Sequence, residues 1–435
     1  MQHDTSLSSP QASRRTFMKG TTAAIVAGAV AGELSMARSA HAAGSDVLRI
    51  GLIGCGGRGT GAAAQALKAD KNTKLVAMGD AFADALDDSV KALSKDKTVG
   101  DRIDVASDRR FVGFDAYQKV IDSGVDVVLL AAPPHFRPQH LQAAIDAGKH
   151  VFAEKPVAVD APGFHKVLAA AKQAKDKNLA LCSGLCWRYN YIARAAVEQV
   201  KEGAIGDIIA IEANYNSSPP GKPWPMVREP NWSDMEFQLR NWYWLTWLSG
   251  DHIVEQAVHS VDKASWVLGD IAPQSCLGLG GLQARMGDDR GQIFDHHAVT
   301  YDYPNGVKLS FNCRQQTGTS HDVSVRVYGT KGSCEIEKGE VRSRNGETTW
   351  KYRGPKNIMH QTEHDELFAN LRSGKIVNDG HFMAMSTMLA IMGRMATYTG
   401  QNIAWDRAIG SREDLTPAQY AWGPAPNYTV AVPGV

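Results

Sequence analysis

The chain has 435 residues, 43% hydrophobic and 21% charged, which suits a globular protein of two domains. A formal net charge of +1 gives no reason to expect nucleic acid or an anionic membrane as partner. Six scattered cysteines (55, 182, 186, 276, 313 and 334) include one close pair, Cys182 and Cys186, without further metal ligands. Buried free thiols are the default reading, with a disulfide left open after export.

Residues 1–43 stand outside the fold. Ser13-Arg14-Arg15-Thr16-Phe17-Met18-Lys19 matches the twin-arginine pattern S-R-R-x-F-L-K, with Met for Leu. An Ala/Gly-rich apolar stretch follows from Thr21 to Gly32, and Ala40-His41-Ala42 offers a small-residue cleavage site. The apolar run is too short to span a bilayer, and no later stretch is long and apolar enough, so no stable membrane insertion is expected. The expectation is a periplasmic protein exported folded by the twin-arginine machinery. That route exports proteins already folded, often with a cofactor inside.

Residues 44–186 alternate strand and helix. In RIGLIGCGGRG, Arg49 to Gly59, an apolar run enters a G-x-G-x-x-G turn followed by the helix-like TGAAAQALKA. Gly54 makes the turn, Gly56 lets backbone approach a pyrophosphate, and Gly59 lets helix and strand pack closely, with Gly57 and Arg58 inside the loop. A helix N-terminus there offers unpaired N–H groups to phosphate. KLVAMGD ends at Asp80, about 20 residues past the last glycine, where a ribose-binding acid belongs. VDVVLLAAP, HVFAEKP and LALCSGL continue the series, with helices between them. Short apolar runs of this kind indicate a parallel sheet covered on both faces, with ligands at the strands' carboxyl ends. Gly54, Asp80, Ala132-Pro133-Pro134-His135 and Glu154-Lys155-Pro156 all fall at those ends. The expected class is α/β, a Rossmann dinucleotide-binding domain followed by a second domain.

Residues 187–404 change texture to an α+β pattern. IGDIIAIEANYN, AVTYDYPNGVKLSFNCRQ, DVSVRVYGT and GSCEIEKG read as strands joined by turns into a mainly antiparallel sheet. DHIVEQAVHSVDKASWVLGD reads as one helix, HQTEHDELFANLRSG and GHFMAMSTMLAIMGRMATYTG as closing helices, and 405–435 as an extended arm.

Lys155, at a strand end beside the nicotinamide edge, can polarise a substrate oxygen as it changes between hydroxyl and carbonyl. Glu255, His259 and Asp262, spaced i, i+4 and i+7, share a face of the predicted helix. His259 suits proton acceptance from a hydroxyl, and Glu255 or Asp262 could orient it. His252 could share that face. Trp224, Trp232, Trp242, Trp244 and Trp247 offer stacking faces for a sugar, with Arg228, Glu229, Asn231, Asp234 and Arg240 as polar neighbours. Two of the five are expected to face a pocket and the rest to pack. Asp295-His296-His297 begins a strand, so its side chains alternate faces and no metal is expected.

Together these residues resemble the glucose–fructose oxidoreductase/inositol dehydrogenase (Gfo/Idh/MocA) family over essentially the whole mature chain, from RIGLIGCGGRG through AGKHVFAEKP and HSVD to IMGRMATYTG. The resemblance implies Lys155 as catalytic lysine and His259 as the histidine of a D-x-x-x-H-x-x-D stretch, in which Glu255 replaces the first Asp. It implies that Trp187-Arg188-Tyr189 crosses between domains near the nicotinamide, with Tyr189 toward substrate, and that His135, beside Pro134, lies on the cofactor side. Glu154 joins that set. It also implies sugar or polyol substrates, and an open-faced second sheet that often buries its face in a homodimer or homotetramer.

Asp80 favours NAD over NADP, because its carboxylate accepts from a ribose 2′-OH and repels a 2′-phosphate; Ala81 and Phe82 bring no arginine to reverse this. Three readings stay open: a sugar oxidoreductase with tightly bound NAD, a glycoside hydrolase or lyase that oxidises transiently, and a non-catalytic sugar-binding protein of the same fold.

Overall fold

The computed structural model describes residues 46–221, 226–287, 290–427 and 429–434; the export pattern and Trp224 lie outside them. The first sheet is built from β1 (Leu48–Ile53), β2 (Thr73–Asp80), β3 (Arg110–Val112), β4 (Val127–Leu130), β5 (His150–Ala153) and β6 (Leu181–Ser183), in the order β3-β2-β1-β4-β5-β6. Every pairing is parallel. Helices α1 (Gly57–Ala69), α2 (Ala83–Lys95), α3 (Ala116–Asp122), α4 (Arg137–Asp146) and α5 (Ala161–Asp176) make the crossovers. The central strands β4 and β5 are buried throughout, which is why they read as unbroken apolar runs.

Helix α6 (Tyr191–Lys201) leads into β7 (Ile208–Ser217), the middle of the second sheet. A run of short helices follows: α7 (Asp234–Arg240), α8 (Thr246–Ser249), α9 (His252–Glu255) and α10 (Val258–Val267). Then come β8 (Ser275–Gly281), β9 (His296–Asp302), β10 (Lys308–Gln315), β11 (Asp322–Gly329), β12 (Gly332–Glu335), β13 (Glu340–Ser343) and β14 (Thr348–Lys351). With β15 (Ile403–Ala404) they form a nine-stranded sheet ordered β14-β13-β12-β11-β7-β10-β9-β8-β15. It is antiparallel except where β7 meets β10.

The closing helices α11 (Met359–Arg372) and α12 (Gly380–Thr399) do not both stay with the second sheet. Helix α11 packs on α1 of the first domain, while α12 lies between β8 and α5. After α13 (Trp405–Ile409) the arm returns along the first domain, where Leu415 N–H donates to Asp160 Oδ2 at 2.9 Å. The tryptophan-rich segment forms a core of its own. Met226, Met235, Leu239, Tyr243, Trp244, Trp247 and Ile293 are buried together, and Phe82, Phe114 and Phe136 of the first domain pack against them. Trp244 and Trp247 are therefore interdomain packing residues, 1% and 0% exposed. All six cysteines are buried free thiols. Among the described residues no helix is long and apolar enough to cross a membrane.

Candidate active site

The carboxyl ends of β1, β2, β4 and β5 open into a cleft of about 650 Å³, closed from the other side by α7, Trp242, Tyr243, Glu255, Gln256 and His259. Gly54, at φ +94°, donates its N–H to Gly79 O at 2.9 Å and turns the chain. A Cβ on Gly59 would lie 1.8 Å from Gly54 O, so the third glycine permits the close helix–strand approach. Cβ atoms on Gly56 and Gly57 would meet nothing within 4 Å. No side chain caps the start of α1, and its first turn carries no acid. This open, uncapped helix end fits a dinucleotide's pyrophosphate.

Asp80 lines the cleft with Oδ2 accepting from Cys55 N–H (2.6 Å) and Oδ1 from Phe82 N–H (2.9 Å). Burial pushes its carboxyl above the usual range, against those two bonds. Arg58 faces the cleft too, gripped by Glu154 and, at 3.4 Å, by Glu363 Oε1 from α11. Burial works to raise Glu154, but Arg58, Arg137 and Lys155 hold it below the usual range. Glu363 is pushed well up by burial and by the charge of Glu154. One guanidinium thus stands between an ionised acid and one that resists ionising.

Lys155 projects from the end of β5, and its Nζ donates to Glu255 O at 2.7 Å and Glu255 Oε1 at 3.2 Å. His259 lines the same cleft with Nδ1 buried and unpartnered. Burial, then the charges of Lys155 and Lys263, push its imidazole well below the usual range, leaving it neutral near pH 7. Glu255 does not orient His259: its Oε1 accepts from Lys155, and neither its Oε2 nor His259 Nδ1 has a partner. The predicted single helix is broken between them: the N–H groups of Gln256 and Ala257 both donate to His252 O, at 3.0 and 2.9 Å, and α10 restarts at Val258. This widened turn re-aims the two side chains.

Several expected contacts lie elsewhere. Asp262 is buried against Arg188 (2.9 Å) and Ser386 (2.8 Å), away from His259. Arg188 is committed to Asp262 and Asp270 and stacks on Phe382, with 3.9 Å from Cζ to the ring centroid, so it is an internal ion pair and not a cofactor ligand. Tyr189 bonds Asp379 at 2.7 Å inside the core, and Trp187 lies under the Lys263 ammonium. Neither lines the cleft. His135 turns its Nε2 to Tyr420 OH at 2.7 Å, so Pro133, Phe136, Arg137 and His140 line the cleft where Pro134 and His135 were expected. Arg228 pairs with Asp234 at 2.6 Å outside the cleft. Trp242 does line it.

His360 on α11, Arg240 at the end of α7 and Tyr243 in the turn just after it also line the cleft, while Glu363 reaches it only through Arg58. No local pattern in the sequence marks them for the cleft; Arg240 is expected there only as a sugar contact. His252 and His297 instead meet Asp251, within 4.8 Å of one another. Asp251 Oδ2 already accepts from Phe294 N–H (2.8 Å) and Tyr398 OH (2.6 Å), and Oδ1 lies 2.9 and 3.1 Å from the two histidines. This network holds Asp251 at φ +79° and so fixes the start of α9, which carries Glu255.

His140 stacks on Tyr117 at 4.2 Å, and burial lowers its pKa from 6.5 to about 3. The unfolded chain therefore takes up this proton first as pH falls below the ordinary histidine value, and folding stability declines with it. His140→Phe is expected to remove about 2 kcal/mol of the loss seen between pH 7 and pH 5. Urea titrations of both proteins at the two pH values check this, and parallel losses would contradict it.

A dinucleotide-type loop facing a lysine and a neutral histidine across one cleft defines a two-domain oxidoreductase. Residues 48–180 match the family model described as oxidoreductase family, NAD-binding Rossmann fold, and residues 193–335 match the GFO/IDH/MocA C-terminal domain, more than half of the chain between them. The chain belongs to the Gfo/Idh/MocA family of oxidoreductases. It is 23% identical over 330 residues to inositol 2-dehydrogenase of Rhizobium meliloti, covering 74% of this chain and 86% of that one. It is 24% identical over 245 residues to 2,7-anhydro-N-acetylneuraminate hydratase of Escherichia coli, where the match takes in 56% of this chain and only 59% of the relative. The fold is shared with the WlbA dehydrogenase from Bordetella pertussis in complex with NADH and UDP-GlcNAcA, at TM-score 0.62 and 20% identity, over 82% of this chain and 98% of that one.

Proposed function

We propose that this protein is an exported oxidoreductase that moves hydride between a CH–OH carbon of a sugar or polyol and an NAD it keeps bound. The observation that carries this is Lys155 Nζ, fixed by Glu255 at 2.7 and 3.2 Å in the same cleft as the neutral His259. Bound NAD supplies the hydride acceptor. His259 takes the hydroxyl proton, and the Lys155 ammonium donates to the same oxygen as it becomes a carbonyl. Trp242 offers a stacking face for the ring. Periplasmic export rests on Ser13 to Lys19, and a second carbonyl substrate would return the cofactor to its oxidised form. The exposed Leu277, Leu279 and Ile209 on the second sheet support a homodimer or homotetramer.

Protein purified from the periplasm is expected to carry NAD(H) through gel filtration and native mass spectrometry, and to gain absorbance at the NADH wavelength when given its sugar. Protein that stays in the cytoplasm, carries no nucleotide and binds none when NAD is added would sink the proposal. The hydratase relative favours a second reading, redox-neutral chemistry on a glycoside or anhydrosugar through transient oxidation. Release of phenol from an aryl glycoside with no net NADH would select it.

A further inference from the structure

The adenosine end of the cleft is not walled by the first domain alone. Asp80, Ala81, Phe82, Gly113 and Phe114 come from that domain, while Leu239, Arg240 and Trp242 come from the second. Arg240 ends α7 and crosses the rim. Its Nη1 and Nη2 lie 2.9 and 3.4 Å from the two carboxylate oxygens of Asp84 in the first turn of α2, and its Nε bonds Glu236 at 2.9 Å. The guanidinium carbon also lies over two rings, 4.0 Å from the centroid of Phe82 and 5.0 Å from that of Trp232.

The arm holds the same joint from behind. Trp422 packs on Phe114 at 4.7 Å and Phe82 at 5.5 Å, and Tyr420 reaches Phe114, Phe136 and His135. A few residues further on, Gly423 O accepts from Met235 N–H at 3.0 Å and Pro426 O from Gln238 at 2.8 Å. One short stretch of arm therefore binds the aromatic floor of the adenosine site and the helix that carries Arg240.

We propose that Arg240 and arm residues 420–426 form a clasp across the adenosine end of the cleft, which must open before the dinucleotide leaves. The inference rests on the reading of this cleft as an NAD site and adds what controls its exchange. An exposed ion pair alone contributes little. Here Arg240 combines a two-pronged carboxylate pair with stacking on a residue that itself lines the cleft, so its loss loosens the floor as well as the rim. The guanidinium is already matched by Asp84 and Glu236, so a 2′-phosphate near Asp80 would meet three carboxylates around one cation. The clasp retains NAD without recruiting NADP.

The test is the release rate of NADH from the full-length holoprotein, followed by loss of NADH fluorescence after a chase with excess NAD. Arg240→Ala and Trp422→Ala are each expected to speed release about tenfold, and Asp84→Asn less, because Glu236 still holds Arg240. Arg228→Ala, which removes the pair with Asp234 at the opposite end of the same helix and outside the cleft, is expected to leave the rate unchanged. Wild-type release rates in both Arg240→Ala and Trp422→Ala, in proteins with unaltered circular dichroism, would overturn the clasp alone. Failure of the wild type to bind NADH at all would overturn the NAD site and the clasp with it.

Discussion

Lys155→Ala is expected to lower hydride transfer about 1,000-fold or more while leaving bound NAD in place. Lys155 lies just past the strand end, donates to Glu255 O at 2.7 Å and shares the cleft with His259, the proposed proton acceptor. On the proposed mechanism, its removal takes away the charge that stabilises the developing oxygen. It also releases the Glu255 carboxylate, whose Oε2 is already buried without a partner, toward the reacting centre. His259→Gln should cost about 100-fold or more, with the remaining rate rising with pH as hydroxide replaces the missing base. Single-turnover reduction of bound NAD, alongside nucleotide content by mass spectrometry, separates lost chemistry from lost binding. Near-wild-type turnover in Lys155→Ala would remove the residue from the mechanism.

Gly54→Ala is expected to cost about 4–5 kcal/mol of stability, an exceptional value for one methyl group. A Cβ at this position would lie 2.3 Å from Ala132 N and 2.5 Å from Ala131 C, both backbone atoms that cannot yield, and φ is +94°. The neighbouring loop position separates folding from binding. A Cβ on Gly56 meets nothing within 4 Å, so Gly56→Ala should melt close to wild type yet lose NAD, because the methyl group occupies the space left for phosphate. Thermal melts and NADH titrations of the two variants check the contrast. Equal melting temperatures would show that the turn tolerates a side chain.

What was legible in the sequence was local or periodic. The Gly54–Gly59 loop, Asp80 at the end of β2 and Lys155 just past β5 could all be placed because each strand announces its own end. The second domain was legible as a mainly antiparallel sheet through its turn signals, although β7 and β10 pair in parallel across a long separation. The reading weakened wherever a side chain's partner lay far along the chain. The resemblance implies Arg188 and Tyr189 near the nicotinamide, and helical spacing puts Asp262 on the face of His259, yet their charges and hydroxyl are consumed by Asp270, Asp379 and each other. The i, i+4 spacing of Glu255 and His259 assumed an unbroken helix, and the widened turn at Gln256 and Ala257 changed what Glu255 can reach.

The chain by itself determined the dinucleotide loop, its acid and the lysine at the strand end, because turn, strand and helix chemistry are set by residues within a few positions of one another. Tertiary structure alone decided which acid holds Lys155, why His259 stays neutral, and that α11 supplies Glu363 to Arg58. It also brought Arg240 and the arm to the adenosine end, where sequence showed only Ala81 and Phe82 beside Asp80. Most of these contacts are distant in sequence: Lys155 and Glu255 lie 100 positions apart, and Arg58 and Glu363 lie 305 apart. Burial, which sets their electrostatics, exists only once both domains are packed.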